Sequence, residues 1–401
     1  MTKRRSVSTQ TTLLSLGTAI SQAITAILFI VTARASQVEI FGLVATSIAV
    51  GMVAAGLLDF GFNSLLTREL SSGRVSMTSF NARAKSKLLI GLFVSVLWFA
   101  STIQFGIYQA ASSLVFLSVL TFQTVLVPLR SESRSSSITM LFILERSSAV
   151  ILFFALTSLG IVHVQSLIIS ILTGTGIAIS SALIILAKTG KQEDKRKGLA
   201  WPWHGTKGYG LSSFANAMQQ LDLPLLASFS GPAMAGIYAS VSKWTQPLGI
   251  VANAFATAAT PFIAKASSTR AAIQEIRKSV WLILLACLGS ALMIPLAPFI
   301  VDLLLGKAYA GSVEVLQLLA FGTIPAILNQ VLATGMQARS YDRQVAIINI
   351  SGVALQLMLI IFTSSYGGAL AAASAYCTLQ FGILITLAIT LVRKLRLELN
   401  N

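Results

Sequence analysis

Five ionisable residues, Asp59, Glu145, Arg146, Asp222 and Lys243, sit inside runs that otherwise read as hydrocarbon, as in "QQLDLPLLASFSG" at 219–231. A charge at mid-bilayer costs at least ~2.5–3.5 kcal/mol on insertion scales, so such residues either pair or serve a polar pathway. A helical rise of about 1.5 Å per residue puts Asp222 about 12 Å from the outer end of its span and Lys243 about 13 Å from the outer start of the next. The same rise puts Asp59 and Arg146 each roughly 12 to 13 Å from the inner ends of their spans. These depths allow two cross-helix ion pairs, one in each half: Asp222 with Lys243 and Asp59 with Arg146. Either these pairs are merely satisfied and rigid, or they line a polar cavity. In the second reading the cations meet an anionic substrate and the acids exchange protons or sodium ions for it. Glu145 and Arg146 are chain neighbours pointing about 100° apart, so both do not face a lumen fully.

Uncharged polar residues extend the pattern. Thr18, Gln22 and Thr25 are spaced four and three apart, with Thr11 and Ser15 continuing the row, and Ser212, Asn216 and Gln219 repeat that spacing. Each set falls on one helical face. Ser47, Gly51, Ala55, Asp59, Asn63 and Thr67 recur at steps of four, and Gly236, Ser240, Lys243, Gln246 and Asn253 share another surface. Small residues and amides also glue membrane helices together, which is the plainer reading for any one of them.

The elements that must carry these faces follow from composition. The chain has 401 residues, of which 55% are hydrophobic and 10% charged, with a mean hydropathy of +0.80. That composition excludes a soluble enzyme and defines an all-α polytopic membrane protein. Apolar stretches long enough to cross a bilayer are expected at 12–33, 43–66, 87–104, 109–129, 138–159, 164–187, 209–230, 234–258, 279–301, 313–335, 344–364 and 368–392. The net charge of +16 reports topology rather than nucleic-acid binding. With a cytoplasmic N-terminus, Arg34 and Lys307 alone fall outside and Arg146 and Lys243 alone fall within spans; the rest of the 29 basic residues, Lys87 among them, are inner. Both termini are expected in the cytoplasm.

A basic loop over 188–208, "KTGKQEDKRKGLAWPWHGTKG", separates a six-helix lobe at 1–187 from another at 209–401, with Trp201 and Trp203 marking the return to the membrane interface. An offset of about 194 residues superposes Gly42 on Gly236, Ala45 on Ala239 and the two amide stripes on one another, an internal repeat of the sort that places a transporter's substrate site between halves. "MTKRR" followed by an apolar run and "ARA" at 33–35 has the outline of a cleavable signal, but the run is long for one and has a counterpart in the second half. Cys287 and Cys377 lie within spans and His163 and His204 at span edges, so neither a disulfide framework nor a metal site is expected.

The segment "EIFGLVATSIAVGMVAAGLLDFGFNSLLTREL" at 39–70 resembles the first signature of the polysaccharide exporter family, the O-antigen or Wzx-type flippases of the multidrug/oligosaccharidyl-lipid/polysaccharide (MOP) superfamily, through Phe41, Gly42, Leu58, Asp59, Gly61 and Arg68. Asp222, Gly236, Tyr238, Lys243 and Pro261 repeat it in the second half, and Leu305, Gly306, Tyr309 and Leu316 resemble the family's short outer loop. The resemblance implies a V-shaped, two-lobed helical carrier in a bacterial cytoplasmic membrane. It would move isoprenoid-pyrophosphate-linked oligosaccharide between leaflets by alternating access, alongside polysaccharide polymerase and assembly proteins and with no cofactor. Arg146 and Lys243 would neutralise pyrophosphate, and Gln22, Asn216, Gln219 and Gln246 would hydrogen-bond sugars. Asp59, Asp222 and Glu145 would couple a proton or sodium ion or act as gates. Twelve spans fit this branch better than the lipid II flippases, which usually carry two more.

Two rivals follow from the same residues. A cation-coupled drug or metabolite exporter of the superfamily would bind its cation at Asp222. A membrane polymerase or ligase of lipid-linked glycans would need outer catalytic groups, and only Asp302, Lys307 and Glu314 cluster there.

Overall fold

The computed structural model describes residues 7–188, 198–245, 248–249, 280–338 and 341–400. Among these residues the chain is helical and without strands, an all-α polytopic membrane protein. Nine segments among them are long and apolar enough to span a bilayer, one of which, Arg343–Arg393, is long enough to hold two expected spans.

The helices are α1 (Val7–Arg34), α2 (Val38–Asp59), α3 (Phe62–Ser71), α4 (Met77–Thr102), α5 (Ile107–Ser131), α6 (Ser135–Ser158), α7 (His163–Ala187), α8 (Lys207–Met218), α9 (Asp222–Ser242), α10 (Val280–Leu304), α11 (Ser312–Ala338) and α12 (Asp342–Asn400). Their flanks carry large exposed apolar side chains, including Phe93, Ile151, Leu284 and Phe362. In water such a surface would be unstable, whereas in a bilayer it is the solvated face.

Glycine breaks the chain where the sequence expects loops. Gly231, at φ 85° and followed by Pro232, interrupts α9 between the seventh and eighth spans. Gly368, at φ 54°, divides α12 between the eleventh and twelfth.

Three expectations are corrected. The second span does not run unbroken to residue 66, because Phe60 and Gly61 adopt left-handed conformations (φ 39° and 75°) that end α2 at Asp59 and start α3 at Phe62. Asn63 and Thr67 therefore sit on a separate helix rather than continuing the α2 face. The third span starts ten residues early, at Met77, where the Ser76 hydroxyl accepts the Ser79 N–H at 3.2 Å as an N-cap. The seventh span is interrupted by a 3-10 turn at Gln219–Leu221. The eighth span beyond 245, with Gln246, Asn253 and Pro261, lies outside the described residues.

Contacts group the chain into two compact units, residues 27–224 (the amino-terminal unit) and residues 1–26 with 225–401 (the carboxyl-terminal unit). In the amino-terminal unit, α2, α4, α5 and α7 pack around Phe41, Val44, Phe116, Leu120 and Leu126, all 8% exposed or less. Small residues permit close approach: a Cβ on Gly174 of α7 would lie 2.5 Å from the Glu145 carbonyl of α6. The carboxyl-terminal unit uses hydroxyl and amide bridges. Ser290 donates to the Ala320 carbonyl at 2.7 Å, Ser240 and Ser312 share a hydrogen bond at 3.0 Å, and Asn329 donates to the Gln380 carbonyl at 2.8 Å.

Candidate functional site

A buried ion pair of the amino-terminal unit sits where α2 ends. Asp59, the last residue of α2, is bridged by Lys87 of α4, whose ammonium lies 2.6 Å from Asp59 Oδ1. The same ammonium donates to Asn63 Oδ1 at 3.2 Å and to Thr124 Oγ1 at 3.0 Å, and stands 4.3 Å from the centre of the Phe62 ring. Lys87 is fully buried and Asp59 14% exposed, so the pair is desolvated. Three acceptors for three N–H donors, with an aromatic face behind them, leave that buried ammonium satisfied.

The expected Asp59–Arg146 pair is therefore not formed. Asp59 is taken by Lys87, and the Arg146 guanidinium lies 3.5 Å from its chain neighbour Glu145. Glu145 is buried between α6 and α7, where its Oε1 accepts the Thr175 hydroxyl at 3.0 Å, while Arg146 keeps a quarter of its side chain exposed. Arg146 and Glu145 thus pair with one another, the carboxylate buried and the guanidinium partly exposed.

The remaining sequence candidates are distributed between the units. Asp222 opens α9 and its Oδ1 accepts the Leu223 N–H at 2.8 Å, at the boundary of the amino-terminal unit. Gln219 is exposed in the preceding 3-10 turn. Gln22 is half-buried on α1 and Lys243 half-buried just past α9, both in the carboxyl-terminal unit. The Asn216 side chain and Gln246 lie outside the described residues.

A strap at 198–206 closes the same end of the amino-terminal unit. Arg83 of α4 donates to the Pro202 carbonyl at 2.7 Å and the His204 carbonyl at 2.6 Å, the Ala200 N–H donates to Ser86 Oγ at 3.1 Å, and the Trp203 indole donates to the Leu58 carbonyl at 2.9 Å. That last bond satisfies one of the carbonyls orphaned where α2 ends. Beyond the strap, α8 starts against the α2–α3 corner, where a Cβ on Gly61 would lie 2.5 Å from the Tyr209 carbonyl carbon. Arg68 of α3 donates to the Tyr209 hydroxyl at 2.7 Å, and this bond, before the Coulomb attraction, holds the guanidinium above its ordinary pKa.

Sequence reasoning missed the contacts of Lys87 and Arg83 because it assigned both residues to basic inner loops. A signal was present for Lys87. Phe80, Ala84, Lys87, Gly91 and Ser95 recur at helical spacing, and the structure buries Phe80, Ala84, Lys87, Gly91 and Ser95 together on α4.

An ion pair buried inside a bundle of membrane-length apolar helices defines a class first, a polytopic membrane protein. The particular likenesses are these. Residues 211–362 match the MatE family model. The lipid II flippase MurJ, in an inward closed conformation, superposes with a TM-score of 0.75 at 13% identity, over 94% of this chain and 87% of that one. An inward-facing multidrug resistance MATE family transporter superposes at 0.65 and 13% identity, covering 99% and 96%. A MOP superfamily transporter from Pyrococcus furiosus does so at 0.59 and 14% identity, covering 98% and 97%. Comparison with curated protein sequences gives no match. Identities this low establish a shared fold, and the all-helical fold of these transporters is the one expected from the sequence.

Proposed function

We propose that this protein is a flippase that moves isoprenoid-pyrophosphate-linked polysaccharide repeat units across the bacterial cytoplasmic membrane by alternating access, with both termini cytoplasmic and transport coupled to a proton or sodium ion. The observation that carries this reading is the likeness to MurJ, a flippase of a lipid-linked substrate by its name, along 94% of the chain. In this reading Arg146 and Lys243 meet the diphosphate, Gln22, Asn216, Gln219 and Gln246 bind sugar hydroxyls, and Asp59, Asp222 and Glu145 serve coupling or gating. The polysaccharide polymerase and assembly proteins act downstream of it. The match of residues 211–362 to the MatE model favours a second reading, a cation-coupled drug exporter.

Deleting the gene and analysing surface polysaccharide and membrane lipid-linked oligosaccharide separates the two. The flippase reading expects loss of one glycan with build-up of its lipid-linked unit on the cytoplasmic side. Intact glycan with new sensitivity to cationic compounds would replace it with the exporter. An Asp222→Asn variant should abolish the pH or sodium dependence of transport; unchanged dependence would reduce Asp222 to a packing role.

A further inference from the structure

We propose that Arg130, with Gln123 two turns earlier on the same face of α5, forms a site for a phosphate-type anion at the end of the amino-terminal unit where α2 terminates. A guanidinium carries five N–H donors. Among the described residues those of Arg130 meet a single acceptor, Gln123 Oε1 at 2.6 Å, and no carboxylate within ion-pair reach. Its neighbour Arg134 is bound to Glu132 at 2.8 Å and Arg74 to Glu69 at 3.3 Å, so the contrast is local.

Asp59 attracts Arg130 from a distance but is already neutralised by Lys87. Asp59, Lys87 and Arg130 together therefore leave one positive charge. Arg130 is half-buried beside the fully buried Val127 and Leu129, so it is not a freely solvated surface arginine. It lies in the last turn of α5, where a cation suits the helix dipole, yet among the described residues it makes no hydrogen bond to the terminal carbonyls. A half-buried, under-satisfied guanidinium matches two phosphate oxygens bidentately. The diphosphate of a lipid-linked cargo and a phospholipid headgroup share that chemistry. The site stands on these contacts and is independent of the flippase reading.

The test titrates inorganic pyrophosphate into the purified full-length protein in zwitterionic nanodiscs and follows intrinsic tryptophan fluorescence. Arg130→Gln should weaken pyrophosphate binding about tenfold or more, while Arg74→Gln, at an exposed surface pair, should leave it unchanged. If Arg130→Gln does not fold, Arg130→Lys replaces it and should still weaken binding several-fold, because an ammonium lacks the bidentate fork. Absence of pyrophosphate binding by the unaltered chain, equal affinity in the folded Arg130 variant, or equal weakening in Arg74→Gln would each overturn the site. Repeating the titration with phosphatidylglycerol in the discs assigns the source. Loss of pyrophosphate binding there identifies a lipid headgroup as the occupant, and retained binding identifies a cargo-type diphosphate.

Discussion

A buried lysine with three acceptors is stable only while its carboxylate stays in place. Removing one member of such a pair costs about 3–5 kcal/mol, because the other is left charged and desolvated. Lys87→Met should therefore lower the thermal unfolding midpoint sharply in detergent, and adding Asp59→Asn to it should recover part of the loss rather than deepen it. Independent, additive losses would mean that Asp59 and Lys87 are not energetically coupled. A smaller effect is expected at Glu145, whose Oε1 accepts the Thr175 hydroxyl at 3.0 Å. Thr175→Val should cost about 1.5–3 kcal/mol, the range for a hydrogen bond to a charged group, read by the same melting measurement.

At the scale of elements, Gly61 and Gly73 form a natural comparison. Both have positive φ, 75° and 73°, but a Cβ on Gly61 would meet Tyr209 at 2.5 Å while one on Gly73 would meet nothing within 4 Å. Gly73→Ala should cost only the left-handed term of about 1–2 kcal/mol. Gly61→Ala should cost visibly more and displace the start of α8, seen as faster limited proteolysis near residue 209. The helices themselves were legible because apolar runs and their breaks are local properties; Gly231-Pro232 and Gly368 interrupt the chain at the expected loops. The pairing of charges was not legible in the same way. Asp59 and Arg146 match in depth, but depth along a helix says nothing about which helices touch, and the Phe60-Gly61 corner turns the chain before α4 presents Lys87. Lys87 itself was hidden by its basic neighbours, since charge density reads as loop even where a helical stripe of Phe80, Ala84 and Gly91 runs through it.

For the whole molecule the distribution of basic residues makes an orientation prediction. With Cys287 and Cys377 replaced by serine, a single cysteine at Lys307 should react with a membrane-impermeant maleimide added to intact cells, whereas one at Arg74 should react only after the membrane is opened. Labelling of both from outside, or the reverse pattern, would refute the topology. The strap at 198–206 has a consequence for biogenesis. The carbonyl of Leu58 and the guanidinium of Arg83 find their partners only in residues about 120 to 145 positions later in the chain. The first six spans thus leave the ribosome as an unfinished body whose strap-side end stays open until Trp203 has been made. A fragment stopped at residue 188 should accordingly be degraded in cells faster than one stopped at residue 224, although the longer fragment ends partway through the seventh span.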